Sequence, residues 1–187
     1  MLTDFKSAIR PAFVLALLFA ALLGLAYPAA LTGIGQLAFP AQANGSLIRE
    51  GDRIIGSELI GQGFASARYF HGRPSAAGAE GYDASASAGS NLGPTSQALA
   101  DRVKADLAKT PGFPVPPDLV TTSASGLDPH ISPEAAFSQL ARVAAERRIP
   151  AEKLRALVVE HSETPLLGFI GEPRVNVLAL NRALDRL

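Results

Sequence analysis

The chain has no cysteine, which excludes disulfides, a thiolate nucleophile and every Cys-based metal site. It has no charge excess either. Lys and Arg number 17 against 17 Asp and Glu, so the basic footprint of a nucleic-acid-binding domain is missing. His71, His130 and His161 are scattered, with no pair at metal-ligand spacing, and no metal site is expected. A phosphate-binding Gly-rich loop ending in Lys-Ser/Thr, a dinucleotide glycine fingerprint and a Gly-x-Ser-x-Gly elbow are all missing, and GQGF at 61–64 is too short to substitute for them. The most informative absence is local. From Pro11 to Ile48 there is not one Asp, Glu, Lys or Arg.

What fills that gap is AFVLALLFAALLGLAYPAAL, residues 12–31, almost unbroken in apolar character. At about 1.5 Å per residue it matches a hydrocarbon core of roughly 30 Å. The rival reading is a cleavable secretory signal, with Lys6 and Arg10 as its basic region and Ala41-Gln42-Ala43 as its cleavage site. The apolar run exceeds the roughly 7–15 residues of such signals, and Ala41 lies well beyond its end. The reading adopted is therefore one membrane helix at 11–31, a cytoplasmic segment 1–10, a linker 32–45 and an exported domain 46–187. Orientation follows from the flanks: Lys6 and Arg10 precede the span, and no Lys or Arg follows until Arg49. In a bacterium this puts the domain in the periplasm and the helix in the inner membrane. Ala12, Ala16, Ala20 and Gly24 recur every four residues and form a candidate packing stripe for neighbouring membrane helices.

Beyond the span the pattern predicts an α+β domain. SLIREGDRIIGSELIG reads as a hairpin turning at Glu50-Gly51-Asp52. Residues 75–94 are rich in Ala, Gly and Ser and read as a long loop too poor in large apolar groups to build core. Helices are expected at 95–109, with Leu99, Val103 and Leu107 on one face, then at 133–148, 151–161 and 175–187.

TTSASGLDPHISPEAA, residues 121–136, offers Ser123, Ser125, Asp128 and His130, the residue types of a hydrolase triad. A triad needs side chains converging from separate elements, whereas Asp128 and His130 are separated only by a rigid proline. Each polar residue has a structural use instead. Ser132-Pro133-Glu134 is a helix start, Asp128 before Pro129 suits a turn, and Ser123 and Ser125 can bond nearby backbone. No catalytic residue is expected, and a membrane-anchored hydrolase using His130 remains the competing class.

The ordered motifs GSELIGQGFASARYFHGRPSA, GSNLGPTS, DLVTTSASGLDPHISPEAAFSQLARVA and GEPRVNVLALNRALD, together with the amino-terminal span, resemble the C-subunit family of the Kdp potassium-transporting ATPase. The resemblance covers nearly the whole chain. It implies a non-catalytic subunit whose partners are a channel-like A subunit, a P-type ATPase B subunit that hydrolyses ATP, and a small F peptide. It further implies a role in assembly and as a catalytic chaperone raising the pump subunit's affinity for ATP, with no cofactor held tightly. If ATP touched this chain directly, the candidates are Ser132, at the helix start whose free amides could meet an anion, and Gln139, whose amide can donate and accept. That implication conflicts with the topology, since ATP is cytoplasmic and residues 46–187 are read as outside.

Overall fold

The computed structural model describes residues 2–109 and 114–187. It divides into two compact units, one ending at Leu47 and one spanning Ile48–Leu187.

The first unit is dominated by one helix. Helix α1 (Leu2–Ala21) passes through a π-helical turn at Leu22–Ala26 into α2 (Tyr27–Ala38), and a short α3 (Pro40–Ala43) follows. Within the π turn Tyr27 N–H donates to Leu22 O, a bond to the fifth residue back. Its position has a cause one residue on: Pro28 lacks the N–H that Gly24 O would accept, and its ring crowds that carbonyl. Thr3–Ala38 is long and apolar enough to cross a membrane, and none of its most apolar stretch is buried. Its 36 residues span about 54 Å, more than a hydrocarbon core of roughly 30 Å. The helix therefore runs through the expected span 11–31 and on through residues 32–38 of the expected linker.

The second unit is α+β. Strands β1 (Leu47–Glu50) and β2 (Arg53–Ser57) form the expected hairpin. After a long irregular stretch come α4 (Gln97–Lys109), a 3₁₀ turn at Pro117–Leu119 and β3 (His130–Ile131). Helices α5 (Pro133–Ser138), α6 (Leu140–Arg147) and α7 (Ala151–Glu160) follow, then β4 (Ser162–Glu163), β5 (Arg174–Asn176) and α8 (Val177–Leu184). β5 is the middle strand of an antiparallel sheet in the order β3-β5-β4, pairing Ile131 with Val175 on one side and Ser162 with Val175 on the other.

The core lies between this sheet and α5–α8. Val143, Leu154, Val158, Val175 and Leu180 are completely buried, and Leu140, Leu157, Val177 and Leu184 close around them. Covering large aliphatic side chains of this kind is the main stabilising term, at roughly 1.5–3 kcal/mol each.

Two helix expectations are corrected, and a third is borne out on the surface. The predicted 133–148 helix is interrupted at Gln139, whose N–H turns to Ala136 O and Phe137 O and whose side chain is committed elsewhere. The predicted 175–187 helix begins at Val177, because Val175 is spent on the sheet and Asn176 caps the helix by accepting from Ala179 N–H. The predicted 95–109 helix exists as α4, but none of its residues is buried and Leu107 is exposed.

Candidate functional site

An irregular segment, residues 61–94, lies across the helical core with little regular pairing of its own. Polar side chains of the helices replace the missing ladder. Asn181, on the buried face of α8, accepts from Phe70 N–H and donates to Phe70 O, both at 2.9 Å. Gln139, between α5 and α6, does the same to the next residue, accepting from His71 N–H at 2.8 Å and donating to His71 O at 3.0 Å. Arg142 donates to the carbonyls of Ala67 and Tyr69, and Arg147 to that of Arg68. Arg147 also lies 4.7 Å over the Tyr69 ring and pairs with Asp185, which accepts from Tyr69 OH. Phe70 is fully buried as a result. Burial pushes the His71 imidazole below its ordinary value, and the Arg142 charge adds to that, against the opposing bond to Ser66 O.

Residues 75–94 form the long loop their composition predicts, and that loop is held in place. Ala77 is completely buried, and the loop lies backbone to backbone against residues 123–128. Ala88 N–H and Ser87 Oγ donate to Ser125 O, and Ser75 Oγ donates to Gly126 O. Gly126 has φ +67°, and a Cβ there would meet Ala88 O at 2.5 Å and Ala77 N at 2.8 Å. Gly61 donates to Leu127 O at 2.7 Å, and its own Cβ would strike Asp128 O at 2.6 Å. Only glycine allows three backbones to come this close.

Of the triad-like residues, Asp128 and His130 line a cleft of 1550 Å³, and Ser123 and Ser125 do not. Asp128 accepts from Arg73 at 3.3 Å and from His130 N–H at 2.9 Å, and the His130 ring nitrogen Nδ1 stands 3.4 Å from it. Burial raises the Asp128 carboxyl, but the bonds from His130 and the charges of His130 and Arg73 outweigh it and hold the group below the usual carboxylate range. Ser125 Oγ accepts from Leu127 N–H within its own turn, and Ser123 O accepts from Gly126 N–H. The acid and histidine are therefore together, with neither serine bonded to His130 among the described residues. No group of three or more His, Cys, Asp or Glu able to hold a metal is found among them.

The two nucleotide candidates stand at opposite ends of α5 and face different cavities, Ser132 the large cleft and Gln139 a second one of 530 Å³. Ser132 Oγ accepts the capping bond from Ala135 N–H and donates to Asp118, while Ser132 N–H donates to the same carboxylate at 2.6 Å. The favourable anionic position at that helix start is thus filled by Asp118, which the sequence analysis missed. Gln139 is buried with both amide atoms used. Ala12, Ala16 and Ala20 lie on α1 and Gly24 in the π turn; all four are exposed, and a Cβ on Gly24 would meet nothing within 4 Å.

Comparison with known proteins decides what this architecture belongs to. The family model described as "KdpC: K+-transporting ATPase, c chain" matches residues 9–186. The chain belongs to the KdpC family. A potassium-transporting ATPase KdpC subunit from Caulobacter vibrioides (strain NA1000 / CB15N) is 60% identical over 184 residues, covering 96% of this chain and 93% of that protein. The KdpC subunit of Bradyrhizobium diazoefficiens is 57% identical, covering 95% and 96%, and that of Nitratidesulfovibrio vulgaris 56%, covering 96% and 94%. In this KdpC-family chain three of the quoted motifs supply the clamped strip and its clamps. ARYFHGRPSA is the clamped strip, Gln139 and Arg142 of FSQLARVA clamp it, and Asn181 of VLALNRAL completes the clamp. Asn181 was missed by sequence reasoning, although an amide set among Val177, Leu178, Leu180 and Leu184 was a readable signal for a buried polar partner.

Proposed function

We propose that this chain is the non-catalytic accessory subunit of an ATP-driven potassium uptake complex. It crosses the inner membrane once through α1–α2, with its amino terminus in the cytoplasm and residues 46–187 in the periplasm. Its partners are a channel-like A subunit, a P-type ATPase B subunit that carries out hydrolysis, and a small F peptide. It supports their assembly and raises the affinity of the ATPase subunit for ATP. The observation that carries this reading is the long apolar helix with exposed side chains, because such a surface is stable only in lipid or against other membrane helices. The effect on ATP affinity travels through subunit contacts and not through nucleotide held at Ser132 or Gln139, whose polar atoms the fold already uses.

Three measurements test this. The tagged chain purified in mild detergent should bring down potassium-stimulated ATPase activity, whereas a free-standing hydrolase using His130 should run alone. Ala84→Cys, at an exposed position, should react with an impermeant thiol reagent added outside intact cells; reaction only after lysis would sink the orientation. ATPase titrations of the complex with and without this chain should differ in apparent ATP affinity, while the chain alone binds no ATP.

A further inference from the structure

Between β4 and β5 the chain makes a second, smaller hairpin that serves no core. Leu166 and Ile170 pair through two bonds, Leu166 N–H to Ile170 O at 3.0 Å and Ile170 N–H to Leu166 O at 2.9 Å. Phe169 N–H also donates to Leu166 O, closing a β-turn whose central residues Leu167 and Gly168 have φ of +55° and +82°. Positive φ at both central positions is the type I′ arrangement, which favours Asn-Gly or Asp-Gly. Gly168 suits it. Leu167 does not, because a branched apolar side chain gains nothing from the left-handed region and cannot bond its own backbone there.

No packing within this chain compensates that choice. Leu167 and Phe169 are each 76% exposed, Leu166 is 68% and Ile170 is 51% exposed. Four large apolar side chains therefore stand on a tip whose backbone is tied internally. A local conflict of this kind, with no gain inside the fold, marks a residue kept for contact with something else.

Charge indicates what that partner is. Glu163 and Glu172 flank the tip, with Arg174 paired to Glu163 at 2.8 Å and Glu172 without an ion-pair partner among the described residues. The adjoining cleft, one wall of which is Leu166 and Ile170, adds Asp118 and Glu134. An acidic setting is repelled by anionic lipid headgroups and suits a protein pocket with an apolar floor and a cationic rim. We infer that the Leu166–Ile170 tip is a docking anchor that inserts Leu167 and Phe169 into an apolar, cation-rimmed pocket on a partner subunit of the transport complex. This rests on the reading of the chain as a complex subunit.

The test uses the full-length tagged chain co-expressed with its complex. Leu167→Asn supplies the residue the turn favours, so the purified chain should unfold at the same or a higher temperature. ATPase activity retained on the tag through a detergent and salt wash should nevertheless fall about tenfold or more, the usual scale for an interface hot spot. Phe169→Ser should give the same loss. Retention unchanged in both variants, with wild type retaining the ATPase, overturns the docking surface and leaves the subunit reading standing. A wild-type chain that retains no ATPase overturns the subunit reading and the docking surface with it. Because the chain has no cysteine of its own, Leu167→Cys can carry a photo-crosslinker at a single point. An adduct with a protein subunit supports the inference, and an adduct with lipid alone overturns it in favour of a membrane-surface contact.

Discussion

Asn181 and Gln139 act as two teeth of one clamp, each giving a full amide to the peptide of a residue far away in sequence. Phe70 and Asn181 are separated by 111 positions. Asn181→Leu keeps the apolar character of the α8 face but leaves Phe70 N–H and C=O buried and unpaired. At about 1–3 kcal/mol for each orphaned group, the variant should lose about 3 kcal/mol of stability in denaturant unfolding of the purified chain. His71 is clamped in the same place and titrates against its burial. Its folded value lies below its unfolded one, so the unfolded chain takes up a proton that the folded chain resists, and stability falls as pH drops below about 6.5. Above that point both states are neutral and the effect vanishes. Comparing thermal midpoints at about pH 8 and about pH 5, wild type should lose more stability than His71→Asn; parallel profiles would remove His71 as the source.

At the scale of elements, the helices could be read from the sequence because each carries its own signal. Ser132-Pro133-Glu134 announces α5, and Ser132 does cap it. The sheet could not be read. β3, β4 and β5 are two, two and three residues long, too short for alternation to show, and the middle strand is contiguous with a helical pattern. Val175 counted as helix for that reason. Loop 75–94 is the long loop its composition predicts, and its small residues serve close backbone approach instead of bulk. Gly126→Ala tests this. Its Cβ would collide with backbone atoms that cannot rotate away, and its φ is unfavourable for alanine, so a loss of roughly 2–4 kcal/mol is expected. Gly93→Ala, with nothing within 4 Å, should leave the thermal midpoint unchanged and serves as the control.

For the whole molecule, the apolar helix and the domain answer to different solvents. Lipid does not drive helices together by hydrophobicity, so any association of α1–α2 depends on close packing. If Ala12, Ala16, Ala20 and Gly24 form the packing face, Gly24→Leu should insert normally, since leucine costs nothing in lipid, and should lower the yield of co-purified partner subunits. Equal yield in detergent would remove the stripe from the account. The π turn bears on the same test, because it holds Gly24 and lies just ahead of Pro28, so the helix is already widened where the substitution falls.

The amino-acid sequence by itself determined that one helix belongs in a membrane, because the absence of charge from Pro11 to Ile48 is a property of composition and needs no partner to be true. It also determined where α5 and α7 start, since caps and apolar spacing act over a few residues. Tertiary structure alone decided that Gln139 and Ser132 face different cavities, that Asp118 fills the anionic position beside Ser132, and that Leu167 is held out from the fold. Those outcomes depend on bonds and burial between residues far apart in the chain, which appear only once the backbone has closed those distances.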